Sequence, residues 1–548
     1  MHPFRILGKC RAGELRVYLR SLNPVRLLVP FPVVFLAFWS TFVTAEDTNT
    51  VSTSLGPVIG KQVCVQQHCV QAFLGIPFAE PPVGALRFAK PVVKKPWQDP
   101  LRATEFSKPC FQRRGNVPHV PWQAYEDGSS EDCLYLNVWT PENRCSRAPT
   151  PVMLWLHGGS YRIGSANLDL YDGSALAGYG QVVVVSTNYR LSAFGFMNAN
   201  VTDISGNMGL WDQYLALRWV HDNIAEFGGD ASLVTVFGES VGGASAGMLA
   251  QSPLCRGLVR RIIMQSGNPR WPLPMESDNG PAASVSRALN IALGVGCLES
   301  EAPEVFTADV IACLRTVPAE HIARAELQSF DDHLFTFMPS FGDALVPMRP
   351  TVAVDQGEIL PVDVMLGTNI REGAILNYIR SGTGAISKNW TSSGAGIDVK
   401  FGRLHLALVF AAFPMPIIDQ IIERYLGNMT ENSPPGDVFA AMVSAGGDFL
   451  LNCPVVFFAE SFSRKIDVLL AYKFAHVASH NFWPEEFEAT HSDEIQFVFG
   501  APLRHPELYS MEDVRMSETM MAAWAAFART GFVHTKWFYA ICRGRYCS

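Results

Sequence analysis

Along the chain, short wholly apolar runs alternate with longer stretches in which apolar positions return every three or four residues. Val152-Met153-Leu154-Trp155-Leu156, Val182 to Val185, Leu233-Val234-Thr235-Val236-Phe237, Ile262-Ile263-Met264, Val364-Met365-Leu366 and Val468-Leu469-Leu470-Ala471-Tyr472 are too short for helices and lack a polar alternation. They read as strands buried on both faces. Leu210 to Phe227 places Leu210, Tyr214, Leu217, Val220 and Ile224 on one helical face before Gly228-Gly229-Asp230 stops it. Strands alternating with helices predict an α/β fold, a central, mostly parallel, twisted sheet with helices on both faces. No linker, charge run or internal repeat divides the middle of the chain, so one large domain is expected.

In such sheets ligands bind at the carboxyl ends of the strands, and two of these ends carry notable chemistry. The run at Val152 stops at His157-Gly158-Gly159. The run at Leu233 leads into Gly238-Glu239-Ser240-Val241-Gly242, a GxSxG pentapeptide, followed by the small residues Gly243-Ala244-Ser245-Ala246-Gly247. A serine on a sharp strand-to-helix turn lifts its hydroxyl into a cleft, above a helix N-terminus whose free N–H groups face developing negative charge. The glycines allow two backbones to meet where a Cβ would collide. GxSxG fixes only three positions and is weak by itself; the strand before it and the small helix after it strengthen it.

The chain's 548 residues are 48% hydrophobic and 17% charged, a globular composition, and the net charge of −8 argues against nucleic acid as a partner. The N-terminus is basic through Arg5, Lys9, Arg11, Arg16, Arg20 and Arg26. Leu27 to Val43 is apolar apart from breaks at Pro30 and Pro32, and Val43-Thr44-Ala45 precedes acidic Glu46-Asp47. Residues 1–45 therefore read as a secretory signal cut after Ala45, leaving no transmembrane span; the alternative is an uncleaved membrane anchor. Export makes disulfides the expected state of cysteine. Of twelve cysteines, removing Cys10 leaves eleven, so at least one is unpaired or intermolecular. Acceptor triplets at Asn200, Asn389 and Asn428 suit N-glycosylation in the same compartment.

Longer motifs extend the picture. Phe73-Leu74-Gly75-Ile76-Pro77-Phe78-Ala79, Glu131-Asp132-Cys133-Leu134-Tyr135-Leu136-Asn137 and Gly238 to Gly243 stand in an order that resembles the type-B carboxylesterases, the α/β-hydrolase family that includes the cholinesterases. The similarity spans about Gly56 to Gly531. It implies a hydrolase domain over 46–531 and a divergent tail over 532–548. It also implies a catalytic acid at Glu372, in Asn369-Ile370-Arg371-Glu372-Gly373, and a base at His491. The residues alone do not select His491 from thirteen histidines. A serine hydroxyl needs such a base, and the base needs an acid to orient it. The resemblance places oxyanion donors at the N–H groups of Gly159, Ser160 and Val241. The family usually has glycine at Ser160 and alanine at Val241. If the loop requires a positive φ at Ser160, a non-glycine residue there is strained.

The same resemblance suggests a substrate pocket from Trp122, Glu239, Phe335 and Phe337, with plain packing as the other reading of Trp122, Phe335 and Phe337. Just after the acid, cholinesterases carry paired aromatics where this chain has Ile375 and Leu376, which weakens a cation cage and suits neutral acyl esters. Disulfides Cys110–Cys133 and Cys297–Cys313 are implied, with Cys453 pairing to Cys542 or Cys547, and Cys64–Cys69 as a candidate hairpin clip. The expected activity is hydrolysis of small-molecule carboxylic esters through an acyl-enzyme, with no metal or organic cofactor and with homo-oligomerisation left open. The competing readings are a neuroligin-like adhesion protein, whose relatives typically lack the nucleophile, and a scavenger that acylates and turns over slowly.

Overall fold

The structure, a computed structural model, describes residues 49–112, 128–142, 150–270, 281–299, 306–330, 336–374, 397–533 except 412, 464, 482 and 484–486, and 539–540. Its main sheet has ten strands: β1 Lys61–Val65, β2 His68–Pro77, β3 Tyr135–Pro141, β4 Thr150–Leu156, β5 Val183–Thr187, β6 Gly229–Glu239, β7 Arg261–Gln265, β8 Asp363–Asn369, β9 Leu469–Phe474 and β10 Tyr539–Ala540. They lie in the order β10-β9-β8-β7-β6-β4-β5-β3-β2-β1. The strands from β9 to β5 in that order run parallel, while β10 at one edge and β3, β2 and β1 at the other are antiparallel. The apolar runs read from the sequence are the parallel strands. The antiparallel arm carries no such run: β1 is half polar and exposed, and β2 is interrupted by Gly75.

Side chains alternate between two cores, as the two-residue period of a strand requires. On one face Leu154, Val185, Val236, Ile262 and Leu366 pack with helices α2 Met208–Asn223 and α3 Val241–Gln251. On the other, Met153, Trp155, Phe237, Ile263 and Met365 pack with α1 Ser174–Gly180 and with α8 Met511–Thr530. The β-branched residues that dominate the central strands are stiff at χ1 and fit this doubly covered position. The helix expected to reach Phe227 ends at Asn223 and tightens into a 3₁₀ turn over Ile224–Phe227, closed by Gly228 at φ 80°.

A third apolar cluster joins α4 Val399–Val409, α5 Met415–Leu426 and α6 Pro435–Gly447 to Ala374, Trp483 and Phe487. A π-helical turn, Asp448–Asn452, links α6 to α7 Cys453–Phe462. By length and composition alone the run Pro435–Phe462 is able to cross a membrane, but half of it is buried in this fold, as in a core helix.

Disulfides join Cys64 to Cys69 across the β1–β2 hairpin, Cys110 to Cys133, and Cys297 to Cys313. Cys145, Cys542 and Cys547 lie outside the described residues, as does residue range 1–45. The tail, read from the sequence as divergent, supplies β10, which pairs with Leu470 and Ala471 at the sheet edge.

Candidate active site

Register brings the chemistry to one edge of the sheet. Gly238 in β6 pairs with Leu156 in β4 on one side and Met264 in β7 on the other, and Gln265 pairs with Gly367 in β8. The segments after these strands, beginning at His157, Ser240, Ser266 and Ile370, therefore emerge together. Ser240 stands at φ 57°, ψ −125°, a strained region for any residue with a Cβ, directly before α3. Its N–H donates to Gln265 O at 2.8 Å. A Cβ on Gly242 would come within 2.0 Å of Leu156 O, so the turn closes only with glycine there.

Glu372 follows β8 and is buried. Its Oε1 accepts from Ser266 Oγ at 2.5 Å and from Asn369 N at 2.6 Å, and its Oε2 meets His491 Nδ1 at 2.7 Å. The loop bearing His491 is tied to the acid loop. Arg371 N donates to Ala489 O at 3.0 Å, Thr490 Oγ1 donates to Arg371 O at 3.0 Å, and Asn369 Nδ2 donates to Thr490 O at 2.6 Å. Two carboxylates flank the imidazole, because His491 Nε2 meets Glu239 Oε1 at 2.9 Å. The same oxygen accepts from Ser492 Oγ at 2.6 Å. Burial works against the charged ring, but Glu239 and then Glu372 outweigh it and hold His491 well above the usual histidine range. In this arrangement Nδ1 is bonded to Glu372 while Nε2 lies within ion-pair distance of Glu239.

Behind this layer Glu494 accepts from Gln265 Nε2 at 2.9 Å and from Asn369 Nδ2 at 2.6 Å, and Gln265 Oε1 accepts from Trp524 Nε1 of α8 at 3.0 Å. Burial first, then the charges of Glu239 and Glu372, push Glu494 up to about 7. Burial also pushes Asp493 well above the carboxylate range, though it accepts from Thr490 N at 2.8 Å.

The loop after β4 lies against the serine: a Cβ on Gly158 would come within 3.1 Å of Ser240 Cβ and 2.5 Å of Glu239 Oε2. Gly159, Ser160 and Tyr161 all have positive φ, at 104°, 58° and 57°. Among the described residues the N–H groups of Gly159, Ser160 and Val241 donate to no protein acceptor. Tyr161 braces the turn through hydrogen bonds to Val241 O at 3.1 Å and Ser245 Oγ at 3.0 Å. His157, stacked on Tyr189, is buried, and that burial drives its imidazole down to about 4, so it is neutral.

Ser240, Glu372, His491, Glu239 and the loop after β4 thus share one site. Phe337 lies in the first core cluster. Trp122, Phe335, Ile375, Leu376 and Asn389 lie outside the described residues, while Asn200 and Asn428 lie within them. Sequence reasoning missed Ser266, Asn369, Ser492 and Glu494 as supports. The available signal was position: Gln265-Ser266-Gly267 is a polar stop at the carboxyl end of a buried strand.

A serine on a strand-to-helix turn at the centre of a parallel sheet, beside a histidine–glutamate pair, defines an α/β-hydrolase of the serine esterase type. A profile of the Carboxylesterase family matches residues 47–539. The chain is 36% identical to acetylcholinesterase-1 of Trittame loki over 496 residues, 88% of this chain and 86% of that protein. It is 35% identical to acetylcholinesterase of Electrophorus electricus over 553 residues, covering 91% and 83%. With acetylcholinesterase of Bungarus fasciatus the identity is 36% over 490 residues, covering 88% and 78%. The chain belongs to the carboxylesterase family.

Proposed function

We propose that this esterase hydrolyses small carboxylic esters through an acyl-enzyme formed on Ser240. His491 acts as general base and acid, Glu372 orients the imidazole, and the N–H groups of Gly159, Ser160 and Val241 hold the oxyanion. The observation that carries this reading is the 2.7 Å contact between Glu372 Oε2 and His491 Nδ1, across 119 residues of chain, beside the strained turn of Ser240. A histidine so oriented can take a proton at Nε2 and return it.

For the first step the imidazole passes its Nε2 proton to the Glu239 carboxylate beside it, which leaves Nε2 with a lone pair to accept from Ser240. Ser240 Oγ then attacks the ester carbonyl as its proton passes to Nε2. The tetrahedral intermediate collapses, the alcohol leaves with that proton, and a water activated by Nε2 releases the acid.

Ile375 and Leu376, in place of paired aromatics, favour neutral acyl esters over choline esters. The relatives named acetylcholinesterases support hydrolysis over a binding-only role. The apolar leader, the disulfides and the acceptor triplets support secretion. Purified protein assayed with a neutral naphthyl ester and with acetylthiocholine should favour the former, and Ser240→Ala should lose both activities and all fluorophosphonate labelling. Equal hydrolysis by Ser240→Ala would assign the chemistry to another residue.

A further inference from the structure

Glu239 Oε1 is held by two neighbouring residues of one loop: it accepts a hydrogen bond from Ser492 Oγ at 2.6 Å and pairs with His491 Nε2 at 2.9 Å. The second oxygen of Glu239 lies against Gly158, where a Cβ would come within 2.5 Å. The carboxylate is therefore confined from both sides. Ser492 sits at φ 74°, in the left-handed region where glycine is the less strained residue. Its hydroxyl is buried and spent on Glu239, so a strained backbone position carries a side chain with a single evident task.

We propose that Ser492 is a positioning residue that fixes Glu239 against His491 Nε2, so that the imidazole rests charged between two carboxylates until Glu239 releases it. This inference rests on the reading of His491 as the general base. The charged and titratable groups around the ring and its two carboxylates are Glu239 at the end of β6, Glu372 after β8, Asp493 and Glu494 on its own segment, Lys473 and Tyr472 of β9, and the buried Tyr171 and Tyr189. With Ser492 in place, the carboxylate contact at Nε2 favours the charged ring. Without the hydroxyl, one of the two holds on Oε1 is gone. The ring then loses its proton at lower pH and reaches Ser240 more readily.

The experiment compares full-length wild type with Ser492→Gly and Ser492→Ala. Glycine removes hydroxyl and backbone strain together, and alanine removes the hydroxyl alone. His491 is titrated by the NMR signal of its Cε1–H in protein labelled with ¹³C-histidine, assigned through His491→Gln, a measurement that needs no turnover. Both variants should titrate roughly half a pH unit or more below wild type, since a fixed carboxylate partner favours the charged form. The acid limb of kcat/KM should move down with it. A midpoint equal to or above that of wild type in both variants would overturn the proposal, whatever the esterase activity. A lowered midpoint in protein whose Ser240 resists fluorophosphonate would instead sink the catalytic reading and, with it, the release of His491 to Ser240, leaving only the hold of Ser492 on Glu239.

Discussion

Ser160 shows how a single residue sets the terms of the site. It holds φ 58°, and Tyr161 beside it holds 57°, in a loop whose family counterparts usually carry glycine at the first position. The strain attaches to the Cβ, whereas the proposed oxyanion donor is the main-chain N–H, which serine retains. Ser160→Gly should therefore be between neutral and about 1 kcal/mol stabilising, because relief of the left-handed strain is partly offset by a more flexible unfolded chain. Its kcat should stay within a few-fold of wild type. Ser160→Val, branched at the same φ, should lose about 2 kcal/mol. Guanidinium unfolding midpoints with steady-state rates test both, and a destabilised glycine variant would show that the serine side chain itself holds the loop. At this scale the sequence was legible only where residue type and position coincide. Ser240 stands out in GxSxG. Glu372 and His491 emerged through family motifs because nothing in their immediate neighbours marks them. Ser492 and Ser266 look like any loop serine until the fold brings a carboxylate to each.

Among the elements, α8 links the back of the site to the surface. Its N-terminus is a capping box in which Ser510 Oγ receives the Asp513 N–H at 3.2 Å and Asp513 Oδ2 receives the Ser510 N–H at 2.9 Å. Asp513 also meets His476 Nε2 at 2.7 Å and the Ser479 hydroxyl. Further along the helix, Trp524 holds Gln265, which in turn holds Glu494. Burial opposes the charge on Asp513, but Ser479, His476 and Ser510 outweigh it and draw the carboxyl down to about 2. A group whose folded pKa is depressed stabilises the fold above its unfolded value and loses that contribution as pH falls through the folded value. Asp513→Asn should therefore cost about 2 kcal/mol at pH 7, and the gap to wild type should close between roughly pH 4 and pH 2. Urea titrations at several pH values check this; a gap independent of pH would mean that the cap acts through shape and not charge. The elements themselves were legible in proportion to the regularity of their patterns. The parallel strands are unbroken apolar runs. The arm β1–β3 mixes exposed and buried positions with a disulfide hairpin, and β10 is a two-residue edge strand whose pairing depends on where β9 lies. Neither leaves a periodic trace.

The molecule as a whole assembles the site from the level ends of β6, β7 and β8, the loops after β4 and β9, and, as its last body, the helical cluster of α4, α5 and α6. The last body is the least obvious contributor, yet it presses directly on the acid. Gly373, next to Glu372, leaves no room for a side chain: a Cβ there would lie 2.0 Å from Val443 O and 2.6 Å from Gly447 N, both backbone atoms of α6. A backbone obstacle cannot rotate away, so Gly373→Ala must drive α6 and the acid turn apart. Glu372 is pinned to Ser266, Asn369 and His491 by contacts of 2.5 to 2.7 Å, and these cannot all survive a displacement of that size. Misplacing a catalytic group by about 1 Å can cost on the order of 100-fold in rate, while overpacking of this kind destabilises by about 1–3 kcal/mol. Gly373→Ala should therefore remain folded but show kcat/KM reduced about 100-fold and correspondingly slow fluorophosphonate labelling of Ser240. Phe337→Ala, which empties a core position in the first cluster, should lose at least as much stability, about 3–5 kcal/mol, without weakening the hold on Glu372. Thermal unfolding and labelling rates measured on both variants separate the two effects. If labelling slowed only in proportion to lost stability in both, the helical cluster would be a passive support and would not fix the acid's position.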